Sequence, residues 1–132
     1  MALYNNQNVA PLSFVAGAAI SQYRAVKLDS TEGRVIASAA IADLTIGASM
    51  NSAAALGDLV TVQNFGKVKL TASAAISLGD QVMVTAAGAG KISTASGATA
   101  KSIGVALQAA GADGDVIEVQ LAAPNVNGPA NS

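Results

Sequence analysis

The chain has 132 residues, of which 52 % are hydrophobic, only 3 % aromatic and 11 % charged, with a net charge of −1 and neither histidine nor cysteine. That length suits one ordinary domain rather than two well-cored ones, and the charge balance leaves no electrostatic footprint for nucleic acid. Without His or Cys the chain lacks disulfides, the usual general base, most zinc ligand sets and the common nucleophile–base pairs.

Residues 1–12 hold Leu3, Tyr4, four amides (Asn5, Asn6, Gln7, Asn8) and Pro11, with no charge and no periodicity. They read as an extended arm, with Pro11 disfavouring a helix at its exit. The first residues also lack the basic and apolar regions of a secretory signal. No apolar run reaches the roughly 18 residues of a membrane span. The expectation is a protein made and kept in a cytoplasm or carried inside an assembly formed there, without a membrane partner.

Residues 13–121 read as a single β domain. Val26 and Leu28 begin a series of short apolar runs, and Ile46 continues it. Two Ala-rich stretches, Ser38 to Leu44 and Ser52 to Leu56, permit a helical turn or two, but neither is long enough to be stable alone. Period-2 alternation then dominates: Val60 and Val62, Val68 and Leu70, Val82 and Val84, Ile103 and Val105, and Ile117 and Val119 alternate with polar or small residues. Gly, Asp or Asn marks most boundaries. Many short strands at near-regular spacing indicate an all-β protein, a small barrel or sandwich of antiparallel strands with at most one or two short helices. The apolar residues just named are the expected core. Ala122 to Ser132, uncharged and carrying Pro124, Gly128 and Pro129, reads as a flexible tail.

The chain also matches itself. Leu44 to Met50 aligns with Lys101 to Leu107, Gly57-Asp58-Leu59-Val60-Thr61-Val62 with Gly114-Asp115-Val116-Ile117-Glu118-Val119, and Gly33-Arg34-Val35 with Gly90-Lys91-Ile92, all at an offset of 57 residues. Ile20 to Leu28 aligns with Ile76 to Val84 at an offset of 56. These blocks point to two copies of one motif, at about residues 20–62 and 76–121. A Gly-Asp pair leads into an alternating strand in each copy, and an Ile-Gly pair marks a close backbone approach.

Chemistry-bearing patterns dissolve under inspection. Gly88-Ala89-Gly90-Lys91-Ile92 resembles the end of a phosphate loop, but Thr85 stands where the first Gly belongs and Ile92 where Ser or Thr belongs. Ser93 near Lys91 reads as two polar residues flanking a strand rather than a dyad. Asp113-Gly114-Asp115 reads as a turn, since the remaining ligands of a calcium loop are missing. Asp58, Asp80 and Asp115 stand at strand entries, a structural pattern. The expectation is no enzyme, no cofactor and no metal.

Five blocks in order carry a resemblance: Phe65-Gly66-Lys67-Val68-Lys69-Leu70, Ala74 to Val82, Gly90-Lys91-Ile92, Ile103-Gly104-Val105-Ala106-Leu107, and Gly114-Asp115 with Val119-Gln120-Leu121. Together they resemble the capsid cement (head decoration) proteins of tailed bacteriophages. The likeness spans Leu56 to Leu121 well and Ser13 to Ala55 loosely, because Ser21-Gln22-Tyr23 stands where the second copy has Leu78-Gly79-Asp80. It implies a β-rich virion protein on the capsid exterior that binds the major capsid protein and stabilises the assembled shell. It also implies self-association, with a trimer favoured over a dimer, and transfers no catalytic residue. The arm residues Leu3, Tyr4, Asn5, Asn6, Gln7, Asn8 and Pro11 are the expected capsid or subunit contacts, since Tyr is a common interface anchor and amides can pair along a strand edge. The competing reading is a non-catalytic β binding module of a phage fibre or cell-surface adhesin. Sugar binding of that kind relies on exposed aromatics, and the chain offers only Tyr4, Phe14, Tyr23 and Phe65.

Overall fold

The computed structural model describes residues 12–39, 43–85, 90–95 and 101–127. Among these residues the chain is all β, as its alternation requires. The strands are β1 (Leu12–Ala16), β2 (Ala25–Leu28), β3 (Arg34–Ala37), β4 (Thr45–Ser49), β5 (Leu59–Gln63), β6 (Gly66–Thr71), β7 (Gln81–Val84), β8 (Ile92–Thr94), β9 (Lys101–Ala106) and β10 (Val116–Asn127). No helix occurs among the described residues. Ser52 to Leu56 is not the helical turn its alanines allowed: Ala53 exchanges backbone hydrogen bonds with Ile20 instead (2.9 and 2.8 Å). Ala propensity is worth little over five residues, and a two-way bridge to a buried Ile outweighs it.

The first five strands close a barrel in the order β1-β3-β2-β4-β5, and the last five form a sheet in the order β6-β10-β9-β7-β8. Position for position the neighbours are the same. β6, β7, β8, β9 and β10 take the places of β1, β2, β3, β4 and β5, and only the seam between the first and third strands differs. In the first unit β1 pairs with β3 in parallel at Val15↔Arg34 and Ala16↔Val35. In the second, the single bridge Ala72↔Ile92 stands there.

Hydrogen bonds recur with the same spacing. Ile20 exchanges bonds with Ala53, and Ile76 with Ala110. Gly57 N–H donates to Ala16 and Gly114 N–H to Ala72 (2.9 and 2.8 Å); Ala16 N–H donates to Asp58 and Ala72 N–H to Asp115 (2.8 and 2.7 Å). Both Ile-Gly pairs form β-bulges. Val26 pairs with Gly47 and Lys27 with Thr45, so Ile46 is the extra residue; Val82 pairs with Gly104 and Met83 with Ser102, so Ile103 is.

Two cores result. One gathers Ala16, Ile20, Val26, Val35, Ala53, Val60 and Val62, with Phe14 and Ile46 packed against it. The other is built around Leu70, Ile92, Val82, Val84 and Val119 of the second unit, and it also takes in Ala25 and Ala48 from the first. Ten of the thirteen expected core residues are buried. The exceptions are Val105, Ile46 and Leu28. Val105 is 37 % exposed because the bulge at Ile103 puts two residues opposite one and reverses which face follows. Ile46, the bulged residue of β4, is half-buried at the margin of the first core, although its counterpart Ile103 is buried. Leu28, 56 % exposed, ends β2 where the chain leaves the barrel for the turn before Arg34.

The C-terminal boundary also moves. β10 runs past Leu121 to Asn127, pairing Val126 with Ser102 and Asn127 with Lys101 across a register shift. The expected tail from Ala122 is therefore strand for its first six residues. Pro124 does not forbid this, because it lies at the irregularity, where ladder hydrogen bonds are already lost.

Candidate interaction surface

The acidic strand entries hold turns together. Asp58 Oδ2 accepts the N–H groups of Ala54 and Ala55 (3.0 and 3.1 Å), and Asp115 Oδ2 accepts those of Gly111 and Ala112 (2.8 and 3.2 Å). Asp80 Oδ2 accepts Ser77 N–H (3.1 Å) and the Thr94 hydroxyl (2.9 Å). In each turn the short carboxylate caps backbone donors three or four residues before it. In Asp113-Gly114-Asp115 the two carboxylates are engaged separately, since Asp113 pairs with Lys91 Nζ at 2.9 Å. That pairing also turns Lys91 to the neighbouring loop. No group of three acidic, His or Cys side chains suited to a metal occurs among the described residues.

A recess lies where the two units meet. A cleft of about 420 Å³ opens between them, bordered by Tyr23, Met50 and Gln63 on one side and Lys67, Lys69 and Glu118 on the other. Lys69 Nζ stands 5.9 Å from the centre of the Tyr23 ring, and Lys67 pairs loosely with Glu118 at 3.6 Å. Both pairs are solvent-facing and contribute little to stability. Their consequence is shape: a shallow, mixed-charge recess with Met50 at its edge, 43 % exposed.

The main chain from Tyr23 to Ala25, which begins at the cleft, explains why the second unit does not close like the first. In the first unit Val15 N–H donates to Gly33 O (3.1 Å) across the β1–β3 seam. In the second, the backbone of Tyr23-Arg24-Ala25 is inserted at the corresponding place. Thr71 N–H donates to Tyr23 O (2.9 Å), and Ala25 N–H donates to Gly90 O (2.8 Å). Gly90 N–H donates in turn to Ser38 O (2.7 Å). Gly90 must be glycine here, since a Cβ would lie 2.5 Å from Ala25 O and 2.8 Å from Arg24 Cβ. Tyr23 takes a φ of 63°, the left-handed conformation that Gly79 supplies in the second unit (φ 87°). This segment is missed by alternation patterns because its role is main-chain. The signal was in the self-alignment, where Tyr23 departs from the second copy.

The apolar surface is dispersed over both units: Leu59 and Leu78 are each 70 % exposed, Leu44 and Leu56 58 %, and Phe65 53 %. Leu3, Tyr4, Asn5, Asn6, Gln7, Asn8 and Pro11, the expected contact residues, lie outside the described residues.

A family model for phage cement proteins matches residues 51–121. Among solved structures, the N-terminal base of the head fibre protein gp8.5 of bacteriophage phi29 superposes with a TM-score of 0.70, covering 89 % of this chain and 97 % of that one at 14 % identity. At that identity the likeness is one of fold. No curated protein matches the chain.

Proposed function

The chain belongs to the phage cement proteins, structural proteins of the virion, and from that premise we propose that it binds the outer surface of an assembled capsid and stabilises the shell without catalysing a reaction. Its partners are then the major capsid protein and further copies of itself, a trimer being favoured. The observation that carries this reading is the family match over residues 51–121, which spans the loop into β5 and nearly the whole second unit. The surface agrees with it. Large apolar side chains stand exposed on both units, while charge is less than half the roughly 25 % of an ordinary soluble domain. So sparse a surface charge suits a protein whose faces are covered.

We further read the chain as two copies of one unit. The support is the recurrence of the same strand neighbours, the same Ile-Gly bulges, the same Asp-capped turns and the same Ile–Ala bridges at matching positions. Leu12, the last residue of the expected arm, belongs to β1; residues 1–11 are read as an arm that reaches the shell or a neighbouring subunit.

The test is an occupancy experiment. Capsids assembled without the protein are mixed with purified chain, imaged by electron cryo-microscopy and heated. Density on the outer surface and a raised disruption temperature are expected. Absence of the chain from the particle exterior at saturating concentration would overturn the reading.

A further inference from the structure

The cleft between the units runs along an open strand edge. β6 ends its sheet, with β10 on one side only. Successive residues of such a strand turn their main-chain groups alternately to the neighbour and away from it. Thr71 N–H donates to Tyr23 O (2.9 Å), so Thr71 turns outward, and Lys69 and Lys67 turn outward with it. The paired strand agrees: Glu118, opposite Lys69, gives its carbonyl to Leu107 N–H (2.8 Å) on the far side of β10. Among the described residues, Tyr23 thus meets the first outward position of β6, and the main-chain N–H and C=O groups of Lys69 and Lys67 have no partner. Three consecutive residues, Lys67-Val68-Lys69, border the cleft, as an edge presents itself; a sheet face would offer every second residue.

The side chains on this edge are selective. Lysines on an edge strand deter pairing with strands that bring no opposite charge. Lys67 leans on Glu118 at 3.6 Å, and the two largely cancel. Lys69 Nζ has the Tyr23 ring at 5.9 Å and no carboxylate within ion-pair distance among the described residues. The balance at the cleft is therefore positive, in a chain whose net charge is −1. The volume of about 420 Å³ falls within the roughly 300–1,000 Å³ of ligand sites, room for a short extended peptide.

We propose that the cleft takes an extended, acidic segment of the major capsid protein, added as a strand to the open edge of β6, with one of its carboxylates on Lys69 Nζ. The proposal rests on the reading of the chain as a protein that binds the capsid, and it names the chemistry of the partner segment. Main-chain hydrogen bonds to Lys67 and Lys69 can be met by any sequence, so they supply affinity, while the carboxylate supplies the choice. Tyr23 O already holds Thr71 N–H, so the added strand stops there and its reach along β6 is set. The terminal segments of this chain do not answer Lys69, because residues 1–11 and 128–132 carry no acidic side chain.

Cross-linking on the particle tests this. Capsids assembled without the protein are mixed with the full chain carrying p-benzoylphenylalanine at Met50, which is 43 % exposed at the cleft edge, and illuminated. Mass spectrometry should find the cross-link on a capsid-protein peptide that contains Asp or Glu. Cross-links to residues 1–11, to another copy of the chain or to a neutral capsid peptide, or none on particles that carry the chain, would overturn the proposal. Variants at Lys69 give a second measurement, read as particle-bound protein after sedimentation. Lys69→Arg should bind as the unaltered chain does. Lys69→Glu should melt as the unaltered chain does yet bind about tenfold more weakly, since a like charge then faces the carboxylate. Lys69→Pro should bind more weakly than Lys69→Gln, because proline removes the outward N–H and leaves the pairing with β10 in place; equal binding by these two would overturn strand addition. Should the proline variant misfold, the cross-link decides. Full occupancy by Lys69→Glu would sink the proposal and leave the capsid reading standing, whereas capsids left bare by the unaltered chain would sink both.

Discussion

Gly104 lies against the main-chain carbonyl of Gln120 with no room for a side chain between them, and a Cβ on Gly104 would overlap that oxygen. Gly47 stands in the same relation to Gln63, where an added Cβ would fall 2.5 Å from the carbonyl oxygen. In each case the glycine follows a bulged isoleucine, so the strand bends inward just where its neighbour passes. Gly104→Ala should therefore destabilise the protein by about 1–3 kcal/mol, the usual cost of overpacking a filled interior. Gly111→Ala, whose added Cβ meets only the Asp115 carboxylate at 3.4 Å, should cost far less. Chemical denaturation of both variants checks the difference.

Gly90 and Gly33 form a matched pair with positive φ (80° and 85°), but only Gly90 is packed against Arg24 and Ala25. Alanine at either position carries a similar conformational cost, roughly 1–2 kcal/mol. Any excess in Gly90→Ala over Gly33→Ala measures the junction between the units. Thermal melting should show Gly90→Ala as clearly the more harmful; equal effects would mean that the junction contributes nothing.

Val119 is fully buried and Leu28 is 56 % exposed, although strand alternation treats them alike. An aspartate at Val119 buries an unpaired charge and should abolish cooperative folding. An aspartate at Leu28 should leave the melting temperature nearly unchanged, as is usual for surface positions. Circular dichroism with thermal melts distinguishes the two.

Deletion of residues 2–10 tests the arm. Ordering a chain costs about 1–2 kcal/mol per residue in backbone entropy, so an arm that binds the shell must recover that cost from contacts made there. The truncated protein should keep its melting temperature yet occupy capsids poorly, as measured by particle-bound protein after sedimentation. Full occupancy by the truncated chain would remove the arm from the mechanism.

Much of the architecture was legible in the chain because it is local. Val68 and Leu70 between lysines state a strand with one dry face, and both are buried. Gly-Asp before Leu59 and before Val116 states a turn that an aspartate can cap within four residues, and Asp58 and Asp115 do so. The alignment of Gly47 with Gly104 likewise anticipated a close backbone approach, and both glycines meet a carbonyl. Other features depend on a partner strand or a distant loop, which no local pattern encodes. A bulge exists only relative to the strand opposite, so the reversal that exposes Val105 appears only once β7 is paired with β9. The seam that is closed at Val15–Gly33 and occupied at Thr71–Gly90 was decided by where Tyr23-Arg24-Ala25 came to rest. That insertion is made by main-chain hydrogen bonds, which every residue type can form, so side-chain identity in the sequence does not announce it.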